Sequence, residues 1–223
     1  MKKIAVIVAG GSGTRMKSAI PKQFLLLKNK PILWHTIAAF TRAFSDMEII
    51  MVLPASCFEE GRNIAASFTD THKINIVQGG ETRFHSVKNG LHLIKEEAIV
   101  FVHDGVRCLV SESLIRSCYQ QASEKGSAIP AIAATDSVRI IEGQKNKSIN
   151  RENIRIIQTP QTFISSLLLP AFDQNYRDSF TDEASVVETY GKEVFLIQGE
   201  EGNIKITKPI DLILAENILA ERK

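Results

Sequence analysis

Cysteine is scarce and poorly placed for a framework. Cys57, Cys108 and Cys118 are the only three in 223 residues, an odd number with no CxxC pair and no zinc-ligand spacing. That excludes a disulfide-stapled secreted scaffold and points to a reducing, cytoplasmic setting. Long apolar runs are missing too. Ile4-Ala5-Val6-Ile7-Val8 breaks at once into a glycine cluster, too short for a signal peptide or a membrane span, so the chain reads as a mature, soluble protein with no membrane partner. A charge excess of one sign is also absent. Lys and Arg number 27 against 25 Asp and Glu, a net +2, too mild to indicate a polyanion-binding protein by itself; no nucleic-acid partner is expected, and any basic chemistry has to be local. There is no internal repeat and no low-complexity tract, and 44% hydrophobic with 23% charged residues excludes disorder, collagen and coiled coil.

What is present is the pattern of an α/β protein. The length is about one and a half times a typical domain of roughly 150 residues, which predicts a single domain over residues 1–223 with a small appendage. Ile4–Val8, Glu48–Leu53, Lys73–Gln78, Ala98–His103 and Ser127–Ile132 read as strands, several without polar alternation, as strands buried on both faces do. Amphipathic stretches lie between them, such as Phe84, Val87, Leu91 and Ile94 at steps of three and four. This predicts a Rossmann-like, mainly parallel twisted sheet with helices on both faces and right-handed crossovers. The pattern breaks at about 135–160. There Ser137-Val-Arg-Ile-Ile, a polar Glu-Gly-Gln-Lys-Asn-Lys and Ile154-Arg155-Ile156-Ile157 read as two strands of a protruding hairpin with its turn. Such an arm has exposed edges and little core, and a second copy of the chain is the natural cover. Helices near 164–172 and 181–190, a strand at 193–197 and a last helix from about Lys208 complete the reading.

Four groups of residues carry possible chemistry. Val8-Ala9-Gly10-Gly11-Ser12-Gly13-Thr14-Arg15-Met16 follows the first strand, with Pro21-Lys22-Gln23 beyond it. Glycines let backbone N–H groups approach a ligand closely, which is how such loops cradle phosphates. No Gly-Lys-Ser/Thr closes a Walker A loop, and Met16 stands where a dinucleotide fingerprint has its third glycine. Two cations, Arg15 and Lys22, mark this loop instead; a plain glycine turn with solvated cations is the alternative. His103-Asp104-Gly105-Val106-Arg107 ends an apolar strand on the same sheet edge, where open parallel sheets bind ligands. Asp104 there suits Mg²⁺ or ribose hydroxyls, or else a salt bridge to Arg107. His103 reads as a satisfied strand-end histidine. Gly79-Gly80-Glu81-Thr82-Arg83-Phe84-His85-Ser86 is a turn whose backbone can read a base edge, or a simple turn with Thr82 as helix cap. Later come Asp136-Ser137, Arg151, Thr159-Pro160-Gln161, Thr181-Asp182-Glu183 and Asn203-Ile204-Lys205-Ile206-Thr207, each explicable singly as a cap or a solvated residue.

In order, these segments resemble those of the 2-C-methyl-D-erythritol 4-phosphate cytidylyltransferases, a family of the sugar nucleotidyltransferases in non-mevalonate isoprenoid synthesis, over roughly residues 3 to 220. The glycine-rich loop marks the superfamily; Gly-Gly-x-x-Arg-x-x-Ser-Val, Thr-Pro-Gln, Thr-Asp-Glu-Ala-Ser and Asn-Ile-Lys-Ile-Thr narrow it. The resemblance implies that Ala9, Gly10, Gly11, Gly13, Gly80, Glu81, Ser86 and Asp104 bind CTP, and that Arg15 and Lys22 grip its triphosphate. It implies that Asp104, Arg107, Ser137, Arg151, Thr159, Thr181 and Lys205 hold a small phosphorylated polyol. Arg15, Lys22, Arg151 and Lys205 are then the catalytic cations, Mg²⁺ is the cofactor with Asp104 near it, and the hairpin arm clasps a homodimer so that Ser137 and Arg151 reach the neighbour's site. The chain departs from the family pattern at Gly10, at Ser137 where threonine is usual, and at Cys108 where proline is usual. A ribitol-5-phosphate cytidylyltransferase, a guanylyl- or uridylyltransferase and a non-catalytic nucleotide-binding regulator are the competing readings; the missing third glycine disfavours an NAD-dependent oxidoreductase.

Overall fold

A computed structural model of the chain describes residues 1–11, 20–68 and 72–221. The first strand, β1 (Lys2–Val8), is followed by a small ladder of β2 (Leu26–Leu27) on β3 (Lys30–Pro31) and by α1 (Ile32–Ala43). Next come β4 (Met47–Leu53), α2 (Phe58–Ala65), β5 (Ile74–Gln78), α3 (Arg83–Leu91), β6 (Ala98–Asp104), α4 (Glu112–Lys125) and β7 (Ser127–Ala133). The remainder is β8 (Val138–Glu142), β9 (Lys145–Ile149), β10 (Arg155–Ile157), β11 (Gln161–Ile164), α5 (Ser165–Ala171), α6 (Glu183–Thr189), β12 (Leu196–Gln198) and α7 (Pro209–Glu221).

The described residues form an eight-stranded sheet in the order β10-β7-β11-β6-β1-β4-β5, with β12 on β7. β6, β1, β4 and β5 are mutually parallel, and β12 runs parallel to β7. β10 and β11 run antiparallel to their neighbours. The unbroken apolar strands have the reason expected: each serves two cores. Ala5 and Ile7 of β1 pack with α1, α2 and α4 on one face, while Ile4 and Val6 pack with α3, α5 and α6 on the other. A third cluster joins Leu27, Val106 and Ile206 beneath α7. α3 is fixed by Phe84 stacking on Phe172 at 4.9 Å between ring centroids, a geometry that adds about 0.5–1.5 kcal/mol beyond area burial.

The arm is the correction. β8 pairs with β9, Glu142 opposite Lys145, so the turn is only Gly143-Gln144. Gly143 has φ +62°, the positive value that the first position of such a two-residue turn demands. The polar run read as a loop therefore supplies the turn and most of the second strand, because two backbone ladders and alternate side chains in water need no apolar pattern. Ile154–Ile157 lies elsewhere: β10 joins the main sheet beside β7, Ile157 opposite Ala131. From there to Thr162 opposite Ala128, five steps on one strand meet three on the other, so the chain bulges at Gln158–Pro160, where Thr159-Pro160 is cis.

Candidate active site

The parallel strands end together, and their ends build one cleft of about 320 Å³. Its first wall is the loop after β1. The Ala9 N–H donates to Val52 O at 2.9 Å, and the Ala9 carbonyl accepts from Gln23 Nε2 at 2.8 Å. Gln23 is 1% exposed, so the turn that carries Lys22 is pinned to the loop that carries Gly10 and Gly11, and all three line the cleft. Gly13 and Arg15 fall outside the described residues.

The opposite wall is the Gly79-Gly80 turn. A Cβ on Gly80 would lie 2.4 Å from His85 Cβ, so only glycine fits. Ser86 holds this turn from both sides, accepting from Gly80 N–H at 3.1 Å and donating to Gly80 O at 3.4 Å. Thr82 caps α3 by accepting from His85 N–H, and Gly80, Glu81, Thr82, Arg83 and Ser86 all line the cleft.

Asp104, at the end of β6, is the floor. Its carboxylate is 10% exposed and meets three cations: Lys205 Nζ at 2.9 Å and Arg107 Nε at 3.4 Å on Oδ2, and Arg83 Nη2 at 3.5 Å on Oδ1. Burial alone would raise its pKa, but Arg83, Lys205 and Arg107 together hold it well below the usual carboxylate range. The Asp104–Arg107 bridge, the alternative reading of this segment, is thus present and is one of three. Behind the carboxylate lies a fixed chain of hydrogen bonds. His103 Nε2 donates to Arg107 O at 3.0 Å, which leaves Nδ1 to accept from the Thr159 hydroxyl at 3.0 Å, and that hydroxyl accepts from Asp104 N–H at 3.1 Å. His103 is fully buried, and burial pushes its pKa down to about 4, so this tautomer is the neutral one the bonds require. Asn203, also fully buried, donates to Thr159 O at 2.9 Å.

The structure therefore brings together Ala9, Gly10, Gly11, Lys22, Gly80, Glu81, Ser86, Asp104 and Lys205. The other expected residues among those described lie outside this lining, as Ser137 and Arg151 must if they serve a neighbour's site. Thr159 is buried and spends its hydroxyl on Asp104 and His103, and Arg107 bonds Asn203 O at 2.8 Å beside its contact with Asp104. Both support the floor instead of lining the cleft. Thr181 is exposed; the cap of α6 is Asp182, in a capping box with Ser185. Ser137 is exposed at the root of the arm, and Arg151 Nη1 bonds Thr135 O at 2.7 Å; neither lines this chain's cleft.

Sequence reasoning assigned no role to Arg83, Gln23 or Glu183. The signals were Arg83 three residues before Ser86 and Glu183 in the Thr-Asp-Glu segment, but partners a hundred residues apart in the chain are not visible from spacing. Among the described residues no group of three His, Cys, Asp or Glu side chains is placed to hold a metal ion.

The comparisons with known proteins agree over nearly the whole chain. The family model described as IspD, 2-C-methyl-D-erythritol 4-phosphate cytidylyltransferase, matches residues 3–221. A Phocaeicola vulgatus protein of that name is 46% identical over 219 residues, covering 98% of this chain and 100% of the relative. One from Azobacteroides pseudotrichonymphae is 46% identical over 220 residues, covering 98% and 99%. Among solved structures, 4-diphosphocytidyl-2C-methyl-D-erythritol synthase from Anaerococcus prevotii superposes with a TM-score of 0.84 at 28% identity, over 98% of this chain and 99% of that one. The Francisella tularensis 2-C-methyl-D-erythritol 4-phosphate cytidylyltransferase does so with a TM-score of 0.79 at 32% identity, over 98% and 100%.

Proposed function

Because the chain belongs to the 2-C-methyl-D-erythritol 4-phosphate cytidylyltransferase family, we propose that it transfers CMP from CTP to 2-C-methyl-D-erythritol 4-phosphate. The products are 4-diphosphocytidyl-2-C-methyl-D-erythritol and pyrophosphate. The observation that carries this reading is the one cleft that joins the Gly10-Gly11 loop, the Gly79-Gly80 turn, Lys22, Asp104 and Lys205.

The cytosine sits between the Gly10-Gly11 and Gly80-Glu81 backbones beside Ser86, and the ribose is over Asp104. Lys22, with Arg15, grips the triphosphate. A phosphate monoester is mostly dianionic near pH 7, its second pKa being about 6, so the attacking oxygen needs no general base. The residues manage charge: Lys22 stabilises the negative charge that grows on the α-phosphate and the departing pyrophosphate, and Lys205 aligns the attacking phosphate in line. Mg²⁺ would enter on the triphosphate, held by phosphate oxygens and water as this ion prefers, with Asp104 near it; since Asp104 already meets Arg83, Arg107 and Lys205, a direct bond to the ion would have to displace one of them. When bound, the ion supplies further charge neutralisation. In a homodimer the arm brings Ser137 and Arg151 to the neighbour's acceptor phosphate, which accounts for their distance from this chain's own cleft. We place the reaction in the cytoplasm: the three cysteines are free and buried, and no helix among the described residues is long and apolar enough to cross a membrane.

Pyrophosphate release tests the reading. With CTP and Mg²⁺, methylerythritol 4-phosphate gives turnover and ribitol 5-phosphate, UTP, GTP and ATP give little. Turnover with ribitol 5-phosphate instead contradicts the acceptor, and binding of CTP without release under any pairing contradicts catalysis.

A further inference from the structure

Glu183 is 1% exposed, the most buried acidic residue among those described, and it stands outside the cleft lining. Both of its carboxylate oxygens accept from Arg83, Oε1 from Nη1 and Oε2 from Nη2, the latter at 3.1 Å. This is the two-pronged pairing that fixes a guanidinium in direction as well as in place. The same Nη2 reaches Asp104 Oδ1 at 3.5 Å, while Asp104 Oδ2 is left to Lys205 and Arg107. Three elements are thereby coupled: α6, which carries Glu183, α3, which carries Arg83, and the end of β6.

The seat of Glu183 is itself built. Gln161, also 1% exposed, donates from Nε2 to Asp182 Oδ2 and accepts at Oε1 from Ala184 N–H, both at 2.8 Å, so the residues on either side of Glu183 are tied to β11. Burial pushes the Glu183 carboxyl upward in pKa while Arg83 opposes it. Burying the Glu183 carboxylate against an Arg83 that is still 30% exposed at the cleft is a poor device for stability, since apolar packing of the same volume commonly serves as well or better. What the pair adds is orientation. Without Glu183 the Arg83 guanidinium is free to turn both its prongs onto Asp104 and crowd Lys205 off Oδ2, or to swing away from Asp104 toward a bound triphosphate, and in either case the Asp104 carboxylate loses its set direction.

We propose that Glu183 is a positioning residue for the transfer reaction: by clamping Arg83 it sets the direction of the Asp104 carboxylate and, through it, the place of the Lys205 ammonium at the acceptor side of the cleft. The role rests on the function proposed above.

The test is a double-mutant cycle in steady-state kinetics on the full chain, with CTP, Mg²⁺ and methylerythritol 4-phosphate, using wild type, Glu183→Gln, Arg83→Gln and the double variant. Glu183→Gln lowers kcat/KM roughly tenfold to a hundredfold, the size seen when a group that orients a site residue is removed. The loss falls mainly on KM for the polyol phosphate, because Lys205 is the group displaced. The double variant is no worse than Arg83→Gln alone, since Glu183 then has nothing to clamp. A merely structural Glu183 lowers the melting temperature and leaves the constants of the folded enzyme unchanged. Folded Glu183→Gln with wild-type kcat/KM, or a double variant in which the two losses multiply, overturns the clamp. If Glu183→Gln does not fold, Glu183→Asp takes its corner of the cycle with the same criteria. Wild-type protein inactive with these substrates overturns the reaction and this role with it, which separates the two failures.

Discussion

At the end of β6 a neutral imidazole and an ionised carboxylate sit side by side, His103 and Asp104, and burial acts on them in opposite ways. Burial lowers the His103 pKa from 6.5 to about 4; no negative charge outweighs it, because the Asp104 carboxylate is taken up by Arg83, Arg107 and Lys205. The folded state therefore binds the His103 proton more weakly than the unfolded state does. Its contribution is complete above pH 6.5 and is lost as pH falls from 6.5 toward 4, by roughly 3 kcal/mol in all. The lowered pKa of half-buried His35 acts in the same direction. Asp104 titrates lower: its contribution is complete above the unfolded carboxylate pKa and is lost only below it. Urea midpoints for wild type should thus fall between pH 7 and pH 5, and His103→Gln should show a shallower fall over that window. Equal slopes for the two proteins would contradict the buried neutral imidazole.

Among the elements, the β8–β9 hairpin stands apart because none of its residues belongs to the three apolar clusters. Its large side chains are in water, with Ile141 77% exposed, and its two strands pair only with each other. An isolated two-stranded hairpin is marginal on its own, so its order in solution calls for a partner surface. Replacing Val138–Ile149 by a short glycine-containing loop should leave thermal stability of the α/β body nearly unchanged. If the arm clasps the proposed homodimer, the shortened chain should be a monomer by light scattering where the full chain is a dimer, and should lose turnover while CTP still binds by calorimetry. A shortened chain that remains dimeric, or a monomer with full turnover, would contradict the arm's place in the neighbouring site. The helices of the site make a different use of sequence: α3 and α6 are capped by Thr82 and Asp182, and those caps set where Arg83 and Glu183 begin their helices.

For the molecule as a whole, what could be read from the sequence was what depends on near neighbours. Strands buried on both faces declare themselves by unbroken apolar runs, and glycine turns after β1 and β5 declare a ligand edge, so the sheet and most of the cleft lining followed. The arm's second strand did not, because Lys145–Ile149 is solvated and carries no apolar alternation, while Ile154–Ile157 resembled an arm strand only because the antiparallel edge of the main sheet asks for the same residues. Thr159 and Arg107 were legible as residues of the site but not in their position, since which side of Asp104 they occupy is decided by β7, β10 and β11 meeting around a bulge. Arg83 and Glu183 each sit in a segment that the sequence singled out, but their pairing, a hundred residues apart in the chain, has no local signature.

The central claim is that the cleft joins the acceptor's own phosphate to the α-phosphorus of CTP. The most direct measurement uses acceptor phosphate labelled with ¹⁸O and follows the reaction by ³¹P NMR. The account predicts that the diphosphate product keeps the label, with one labelled oxygen bridging the two phosphorus atoms, and that the released pyrophosphate is unlabelled. Pyrophosphate formed together with free CMP and unchanged acceptor, or label appearing in pyrophosphate, would contradict it.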